Sequence, residues 1–209
     1  MDFKQQLKVA YDKDALRRDS AEGKRDQWKL DLRQQFVELL KKENKNTILE
    51  LGSGAGLDAK FFQDNGFEII ATDLSDEMVK MCKKRGLDTK VLDLYRLSTL
   101  GKTFDAIFSL NVLLHVPKKD LIKVLQGIHE TLNPNGIFFY GVYGGIDEEK
   151  IVTDKTKMNL PRLFSFLSDD TLLDTVKELF EVIDFKTVDI GSDKPNFHFQ
   201  SLFLRKKSS

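Results

Sequence analysis

The sequence predicts an α/β fold: a doubly wound, mostly parallel seven-stranded sheet with helices on both faces and its last strand antiparallel. Short apolar runs alternate with helical patterns through the middle of the chain, and a glycine-rich turn follows the first of these runs. Two further apolar runs, with no helix between them, end the chain. A crossover helix returns the chain to the end of the sheet where the previous strand began. The alternation of strands and helices therefore predicts parallel strands.

The first 44 residues read as helical. The pattern breaks near Asp19–Gly23, which separates two predicted helices. In the second helix, the spacing of Trp28, Leu32 and Phe36 predicts one face packed on the sheet. We therefore expect residues 1–44 to form a helical cover.

The strands and helices of the main fold follow in order. The predicted strands lie at 47–51, 68–73, 89–92, 104–110, 136–143, 180–190 and 197–205, and the predicted helices at 57–65, 75–85, 118–132 and 168–179. Pro117 suits the start of the third of these helices, Ser168 suits the start of the last, and Asn133–Gly136 reads as a turn into the fifth strand. Residues 144–167 are expected to be irregular.

The composition limits the classes of function. Lysine plus arginine equals aspartate plus glutamate, 33 each, so the formal net charge is zero, which argues against a nucleic-acid partner. The basic residues between Lys13 and Arg25 are read as a solvated helix face. Cys82, the only cysteine, lies in a helical pattern and is expected to be a buried structural thiol. The polar N-terminus and the lack of a long apolar run predict a cytoplasmic protein without a membrane segment.

The stretch from Thr47 to Asp58 is the most informative part of the chain. It reads TILELGSGAGLD, an apolar run that ends in an acidic residue and continues with glycines at every second position. Glycine lets the backbone adopt positive φ and come close to a bound ligand. A dinucleotide fingerprint would need glycine at position 57, where this chain has leucine, so an NAD(P)-dependent oxidoreductase is disfavoured. A glycine-rich turn with no ligand is the other interpretation.

This pattern resembles motif I, hh(D/E)hGxGxG, of the class I S-adenosylmethionine (SAM)-dependent methyltransferases. The resemblance implies a Rossmann-like methyltransferase fold, SAM as the cofactor and S-adenosylhomocysteine (SAH) as its product. It also implies that Gly52, Ser53, Gly54 and Gly56 hold the cofactor through the backbone, and that Glu50 orients its methionine part. The terminal hairpin resembles the family's seventh strand, which inserts antiparallel between the fifth and the sixth.

Two aspartates lie where predicted strands end. Asp73 closes the second strand, where a carboxylate can accept hydrogen bonds from both ribose hydroxyls; capping the next helix is the alternative role. Leu74, the next residue, belongs to the same candidate cofactor site. Asp93 closes the third strand and resembles the family's third motif, in which an acidic side chain takes the adenine amino group. The next backbone amide, here that of Leu94, contacts the ring; a turn aspartate is the alternative for Asp93.

Residues 104–117, FDAIFSLNVLLHVP, resemble motif IV of the same family. By this resemblance the backbone around Leu110 and Asn111 faces the amino group of SAM. His115 lies near the cofactor end of a strand, where a neutral imidazole could take a proton from an oxygen or nitrogen nucleophile. A partly buried structural histidine is the alternative for this position.

The sequence therefore predicts transfer of a methyl group from SAM to an unidentified, small-molecule acceptor. Such a transfer depends on positioning and needs no metal. Tyr11, Trp28 and Tyr143 are the candidate acceptor-binding residues. The alternative is a SAM-binding regulatory or scaffold protein without catalysis.

The predicted organisation is one domain over residues 1–209. After the helical cover, residues 45–143 form the cofactor-binding core, and residues 144–209 form the acceptor-side segment and the terminal hairpin. We expect a monomer or a homodimer.

Overall fold

A computed structural model describes residues 3–19, 26–153 and 160–207, with the side chains of residues 16–19 left out. The α-helices are α1 (Phe3–Asp19), α2 (Gln27–Lys42), α3 (Leu57–Asp64), α4 (Asp76–Lys84), α5 (Leu121–Thr131) and α6 (Asp169–Lys177). The strands are β1 (Thr47–Leu51), β2 (Glu68–Asp73), β3 (Asp88–Val91), β4 (Phe104–Leu110), β5 (Leu132–Gly144), β6 (Glu148–Thr153), β7 (Pro161–Phe166), β8 (Phe180–Val188) and β9 (His198–Lys206). Short 3₁₀ segments lie at Leu94–Leu100, Leu113–His115 and Lys118–Asp120.

The predicted fold class is confirmed. A seven-stranded sheet has the order β3-β2-β1-β4-β5-β9-β8. Strands β1, β2 and β3 pair in parallel, as do β4 and β5. Strand β9 is antiparallel to both of its neighbours, β5 and β8, as the resemblance implied for the seventh strand of the sheet.

The chain comprises two compact units, and each is described by itself. The first contains Met1–Asp93 with Ile151–Leu163, and the second contains Leu94–Lys150 with Phe164–Ser209. No helix among the described residues combines the length and the apolar character that crossing a bilayer would require.

The first unit packs helices α1 to α4 with strands β1 to β3. Helix α2 buries Leu32 and Phe36, two of the residues whose spacing predicted this face, and the Phe36 ring meets Phe62 of α3 edge-on at 5.8 Å between centroids. Helix α4 begins at its N-cap Ser75, whose hydroxyl accepts a hydrogen bond from the Met78 amide. Helix α1 packs on α4.

The second unit has a core rich in aromatic residues. The rings of Phe108 on β4 and Phe139 on β5 stack with centroids 4.6 Å apart, and both side chains are at most 1% exposed. Phe138 points to the opposite face of β5 from Phe139 and contacts Phe180 on β8, which lies beyond β9 in the sheet, so both faces carry buried rings. Burial of such large rings is the main favourable contribution to the stability of this unit.

Two sequence expectations need correction. Residues 144–167 are not irregular throughout, because β6 and β7 form a separate two-stranded sheet. The predicted turn at Asn133–Gly136 lies inside β5, where Asn135 has φ 56° and the register against β4 shifts. The predicted break between α1 and α2 falls largely on residues 20–25, which lie outside the described residues.

Candidate functional site

The glycine-rich loop of the first unit follows β1 and has a left-handed backbone at each glycine. Gly52, Gly54 and Gly56 have φ values of 65°, 54° and 84°. Residues with a Cβ rarely adopt this backbone conformation, so the alternating glycines allow the turn to form. The loop is joined to the neighbouring strand, because the Ser53 amide donates to the carbonyl of Thr72 at 2.8 Å.

The glycines at 54 and 56 serve different purposes. A Cβ at Gly56 would lie 2.8 Å from the Cys82 sulfur and 2.8 Å from Leu87 Cδ1, so this glycine is needed for packing. A Cβ at Gly54 would meet nothing within 4 Å. The loop therefore presents open backbone at Gly54, which suits close approach of a ligand.

Asp73, at the end of β2, holds the loop in place. Its Oδ2 accepts a hydrogen bond from the Gly54 amide at 2.9 Å, and its Oδ1 accepts one from the Ser75 amide at 2.9 Å. The N-cap of α4 is Ser75, so the alternative role of Asp73 as that cap does not apply. A carboxylate has about four acceptor positions, so holding the loop is compatible with accepting ribose hydroxyls as well. The next residue, Leu74, is half-buried.

Cys82 packs beneath the loop and has the structural role predicted for it. Its thiol donates to the Gly54 carbonyl at 3.3 Å and lies 3.4 Å from the Ser53 hydroxyl. Burial raises the pKa of the Cys82 thiol to about 11, so the thiol stays protonated at neutral pH. Glu50 is 3% exposed, and its backbone carbonyl accepts from the Thr72 hydroxyl at 2.7 Å.

Helix α1 is tied to the same end of the first unit by polar contacts. The Lys4 ammonium lies 2.7 Å from Asp93 Oδ2, so the carboxylate predicted to take the adenine amino group has a lysine partner from α1. Lys8 pairs with Asp76 at the start of α4. Asp12 accepts a hydrogen bond from the Ser75 hydroxyl at 2.6 Å.

The predicted acceptor residues of the first unit have different surroundings. Tyr11 packs against a buried cluster that includes Ala55 of the glycine loop and Met81 of α4. Trp28, on α2, is half-buried, and the Lys29 ammonium lies 4.7 Å from its ring centroid. Tyr11 is therefore close to the loop.

In the second unit, β4 ends at the half-buried Leu110, and Asn111 follows with φ 58°. The Asn111 amide donates to the Gly141 carbonyl at 2.8 Å. Its side-chain Oδ1 is buried and has no hydrogen-bond donor among the described residues. A buried acceptor without a donor costs about 1–3 kcal/mol, so a ligand ammonium or amide would find a suitable partner here.

His115 and Tyr143 are also in the second unit. His115 is 6% exposed, and its ring meets the edge of Phe164 with 4.9 Å between centroids. Tyr143, near the end of β5, is half-buried; its ring is parallel to Phe197 at 6.2 Å and edge-on to Phe199 at 5.4 Å. Both predicted residues therefore lie among aromatic side chains.

Sequence reasoning gave no role to a polar cluster at the start of β9. Here His198 Nε2 lies 2.8 Å from Asp169 Oδ1, which also accepts from Gln200 Nε2 at 2.7 Å. In the sequence, the histidine and the aspartate are 29 positions apart, so no local motif could have indicated the pair.

Hydrogen bonds also fix the segment around β6 and β7 that belongs to the second unit. Glu149 Oε2 accepts from the Lys118 amide at 2.7 Å and from the Ser165 hydroxyl at 2.8 Å. Asp147 accepts from the Thr171 hydroxyl at 2.9 Å. Burial raises the pKa of Asp147, but hydrogen bonds from Ser168, Thr171 and Lys118 outweigh it and hold that pKa at about 2.

Comparison with known proteins relates this geometry to one family. A family profile described as a methyltransferase domain matches residues 48–136, which include the glycine loop, Asp73, Asp93 and Asn111. The ubiquinone biosynthesis O-methyltransferase of Mesorhizobium japonicum is 31% identical over 98 residues, which cover 44% of this chain and 39% of that protein. The chain spans less than half the length of the curated relatives it matches.

Solved structures resemble the fold over most of the chain. The Burkholderia thailandensis 1,6-didemethyltoxoflavin-N1-methyltransferase, crystallised with SAH, has a TM-score of 0.65 and 21% identity, covering 93% of this chain and 88% of its own. The magnesium protoporphyrin IX methyltransferase of Synechocystis PCC 6803, crystallised with SAM, has a TM-score of 0.70 and 12% identity, covering 99% and 98%. At these identities the likeness shows the fold.

The glycine loop leads to a first prediction, on stability. Gly56→Ala and Gly66→Ala both force alanine into a left-handed conformation, at about 1–2 kcal/mol each. Only the former places a Cβ against Cys82 and Leu87, because the position at Gly66 is open. Urea unfolding should therefore show Gly56→Ala to be about 1–3 kcal/mol less stable than Gly66→Ala. Equal unfolding free energies for the two variants would contradict this packing.

Asp147 leads to a prediction on pH. A carboxyl whose pKa is lower in the folded chain contributes stability above its ordinary pKa of 3.8 and loses it as the pH falls toward about 2. The melting temperature of Asp147→Asn should thus be below that of the wild type at pH values above about 4, and the difference should shrink in acid. Asp88→Asn, at an exposed position on β3, is the control. A difference that stays constant with pH would show that the carboxylate is not responsible.

Proposed function

We propose that this chain, whose residues 48–136 match the methyltransferase domain profile, transfers a methyl group from SAM to a small-molecule acceptor. The observation that carries the proposal is the glycine loop after β1, left-handed at three glycines, open at Gly54 and held by Asp73. When bound, SAM supplies a methyl carbon activated by a sulfonium. The chain's contribution is to bind and orient, which accounts for a large share of rate enhancement in such transfers.

The residues that would hold the cofactor in the first unit follow from the resemblance. Gly52, Ser53, Gly54 and Gly56 would contact it through their backbone, and Glu50 would orient its methionine part. Asp73 would accept the ribose hydroxyls, with Leu74 beside it. Asp93 would share its carboxylate between the adenine amino group and Lys4. The adenine role of Asp93 has weaker support than the ribose role of Asp73, because the Lys4 ammonium already lies 2.7 Å from the Asp93 carboxylate.

The second unit contains three further candidate residues, which also follow from the resemblance. Leu94 would contact the adenine through its amide, and Leu110 and Asn111 would face the amino group of the cofactor. The buried Oδ1 of Asn111, which has no donor among the described residues, supports this assignment because an ammonium group would satisfy it.

The nature of the acceptor is the other part of the proposal. A zero net charge favours a small molecule over a nucleic acid, and the relatives named above carry names of small-molecule methyltransferases. The residues that would contribute to acceptor binding are Tyr11, Trp28 and Tyr143. We further propose that the chain forms a single domain, is a monomer or a homodimer, and is located in the cytoplasm. The buried free thiol of Cys82 is compatible with a reducing compartment.

Titration calorimetry with SAH tests cofactor binding. The wild type should bind SAH with a Kd in the micromolar range, about −7 to −8 kcal/mol, and should not bind NADH. Gly54→Ala places a methyl group where the loop is open, so it should weaken SAH binding about tenfold or more.

Gly66→Ala is the control for this measurement, because Gly66 also has a positive φ and a Cβ there would also meet nothing within 4 Å. It should bind SAH as the wild type does. If the two variants bind alike, the cofactor does not approach Gly54; if NADH binds and SAH does not, the chain is an oxidoreductase instead.

His115 is the proposed proton acceptor, and its test is kinetic. His115→Ala should lower turnover about 10²-fold and remove one ionisation from the pH–rate profile. His129→Ala is the matched control, since His129 also lies edge-on to a phenylalanine, Phe180, at 5.6 Å. A small loss without a change in the pH profile would assign His115 to packing. SAH binding without transfer to any acceptor would favour the regulatory alternative.

A further inference from the structure

A continuous row of aromatic side chains connects His115 with Tyr143 in the second unit. The ring centroids of His115 and Phe164 are 4.9 Å apart, those of Phe164 and Phe166 are 5.8 Å apart, and those of Phe166 and Phe197 are 5.1 Å apart. The row ends with Phe197 and Tyr143, whose rings are parallel within 17° at 6.2 Å. These five residues, hereafter the aromatic row, thus join the candidate base to a candidate acceptor residue.

The aromatic row differs from the aromatic core of the same unit in its exposure. Core rings such as Phe108 and Phe139 are at most 1% exposed. In the aromatic row, Phe164, Phe197 and Tyr143 are half-buried, whereas Phe166 and His115 are 8% and 6% exposed. The three half-buried side chains thus keep some ring surface in solvent, which a flat ligand would bury on binding.

Both sides of the aromatic row are fixed by contacts outside it. Glu149 holds the β7 side through Ser165, which lies between Phe164 and Phe166. On the other side, a Cβ at Gly145 would lie 2.0 Å from the Asn196 carbonyl and 2.5 Å from His198 Cε1, so the backbone around Phe197 packs directly on this glycine. A fixed set of rings loses little conformational entropy when it binds a flat molecule.

We propose that the aromatic row binds the methyl acceptor, and that the acceptor is a planar aromatic or heteroaromatic molecule with a hydroxyl or amino group. This rests on the proposed methyl transfer. Rings stack on rings with a gain beyond the area that they bury, which a saturated acceptor cannot obtain. The acceptor oxygen or nitrogen bonds to the methyl carbon as the carbon–sulfur bond breaks, the electron pair stays on sulfur, and the acceptor proton passes to His115 or to water.

The bases of a single-stranded nucleic acid also stack on aromatic side chains, but they bring phosphates that need cations. The ammonium of Lys150 lies 5.8 Å from the Phe166 ring and is already paired with Glu148 at 2.8 Å. The charge around the aromatic row thus favours a small acceptor.

Saturation-transfer NMR tests the binding directly, with SAH present and without any need for turnover. The matched ligands are catechol and cyclohexane-1,2-diol, which carry the same two hydroxyl groups on a flat and on a saturated ring. Catechol protons should receive saturation, and those of the diol should not. Equal saturation of both, or saturation of an oligothymidine in their place, would overturn the proposal.

Variants then assign the binding to the aromatic row. Phe197→Leu and Phe164→Leu should each weaken catechol binding about 3- to 10-fold and leave SAH affinity unchanged. Phe61→Leu, which removes a half-buried ring from α3 in the first unit, is the control and should bind catechol as the wild type does. If both variants bind catechol like the control, the aromatic row is packing only. If the wild-type protein does not bind SAH, the proposed function itself is refuted.

Discussion

The structure of the candidate cofactor site depends on one carboxylate. Asp73 accepts hydrogen bonds from the amides of Gly54 and Ser75, and so ties the loop after β1 to the start of α4. Hydrogen bonds to a charged acceptor are stronger than neutral ones, about 1.5–3 kcal/mol against about 1. Gly54 makes this contact with a left-handed backbone, which glycine adopts readily. The glycine in the loop and the aspartate at the end of β2 are therefore parts of one hydrogen-bonded arrangement.

Other parts of the first unit build on this arrangement. Ser75 is the N-cap of α4, and its hydroxyl donates a hydrogen bond to Asp12 of α1, so α1 is attached through the same turn. Cys82 and Leu87 fill the space beneath Gly56, which leaves no room for a side chain there. A rigid loop held from below and from the side is what positioning chemistry requires, because a shift of about 1 Å can cost a large factor in rate.

The sequence predicted the features that depend on local patterns. The strands of the sheet, the glycine loop and the N-cap at Ser168 could be read directly, since each depends on residues close together in the chain. The ordered strands β6 and β7 could not, because Glu149 is fixed by the Lys118 amide, 31 residues away. Likewise, the pairing of Lys4 with Asp93 joins residues 89 positions apart, and it gives Asp93, two residues beyond the end of β3, a partner that no local pattern indicates.

The candidate acceptor residues show the same limit. His115 and Tyr143 were chosen separately, one for its chemistry and the other for its place after a strand. Their connection through Phe164, Phe166 and Phe197 exists only in the folded chain, because these rings come from β7 and from the loop before β9. The positions of these residues in the sequence do not predict the row, because the rings come together only when separate segments of the chain fold.

A crystal structure of the protein with SAH would show whether the glycine loop and Asp73 hold the cofactor. Both ribose hydroxyls should lie within hydrogen-bond distance of the Asp73 carboxylate, with the ligand against the backbone of Gly52–Gly56. SAH bound elsewhere, with no contact to the Asp73 carboxylate, would contradict this assignment.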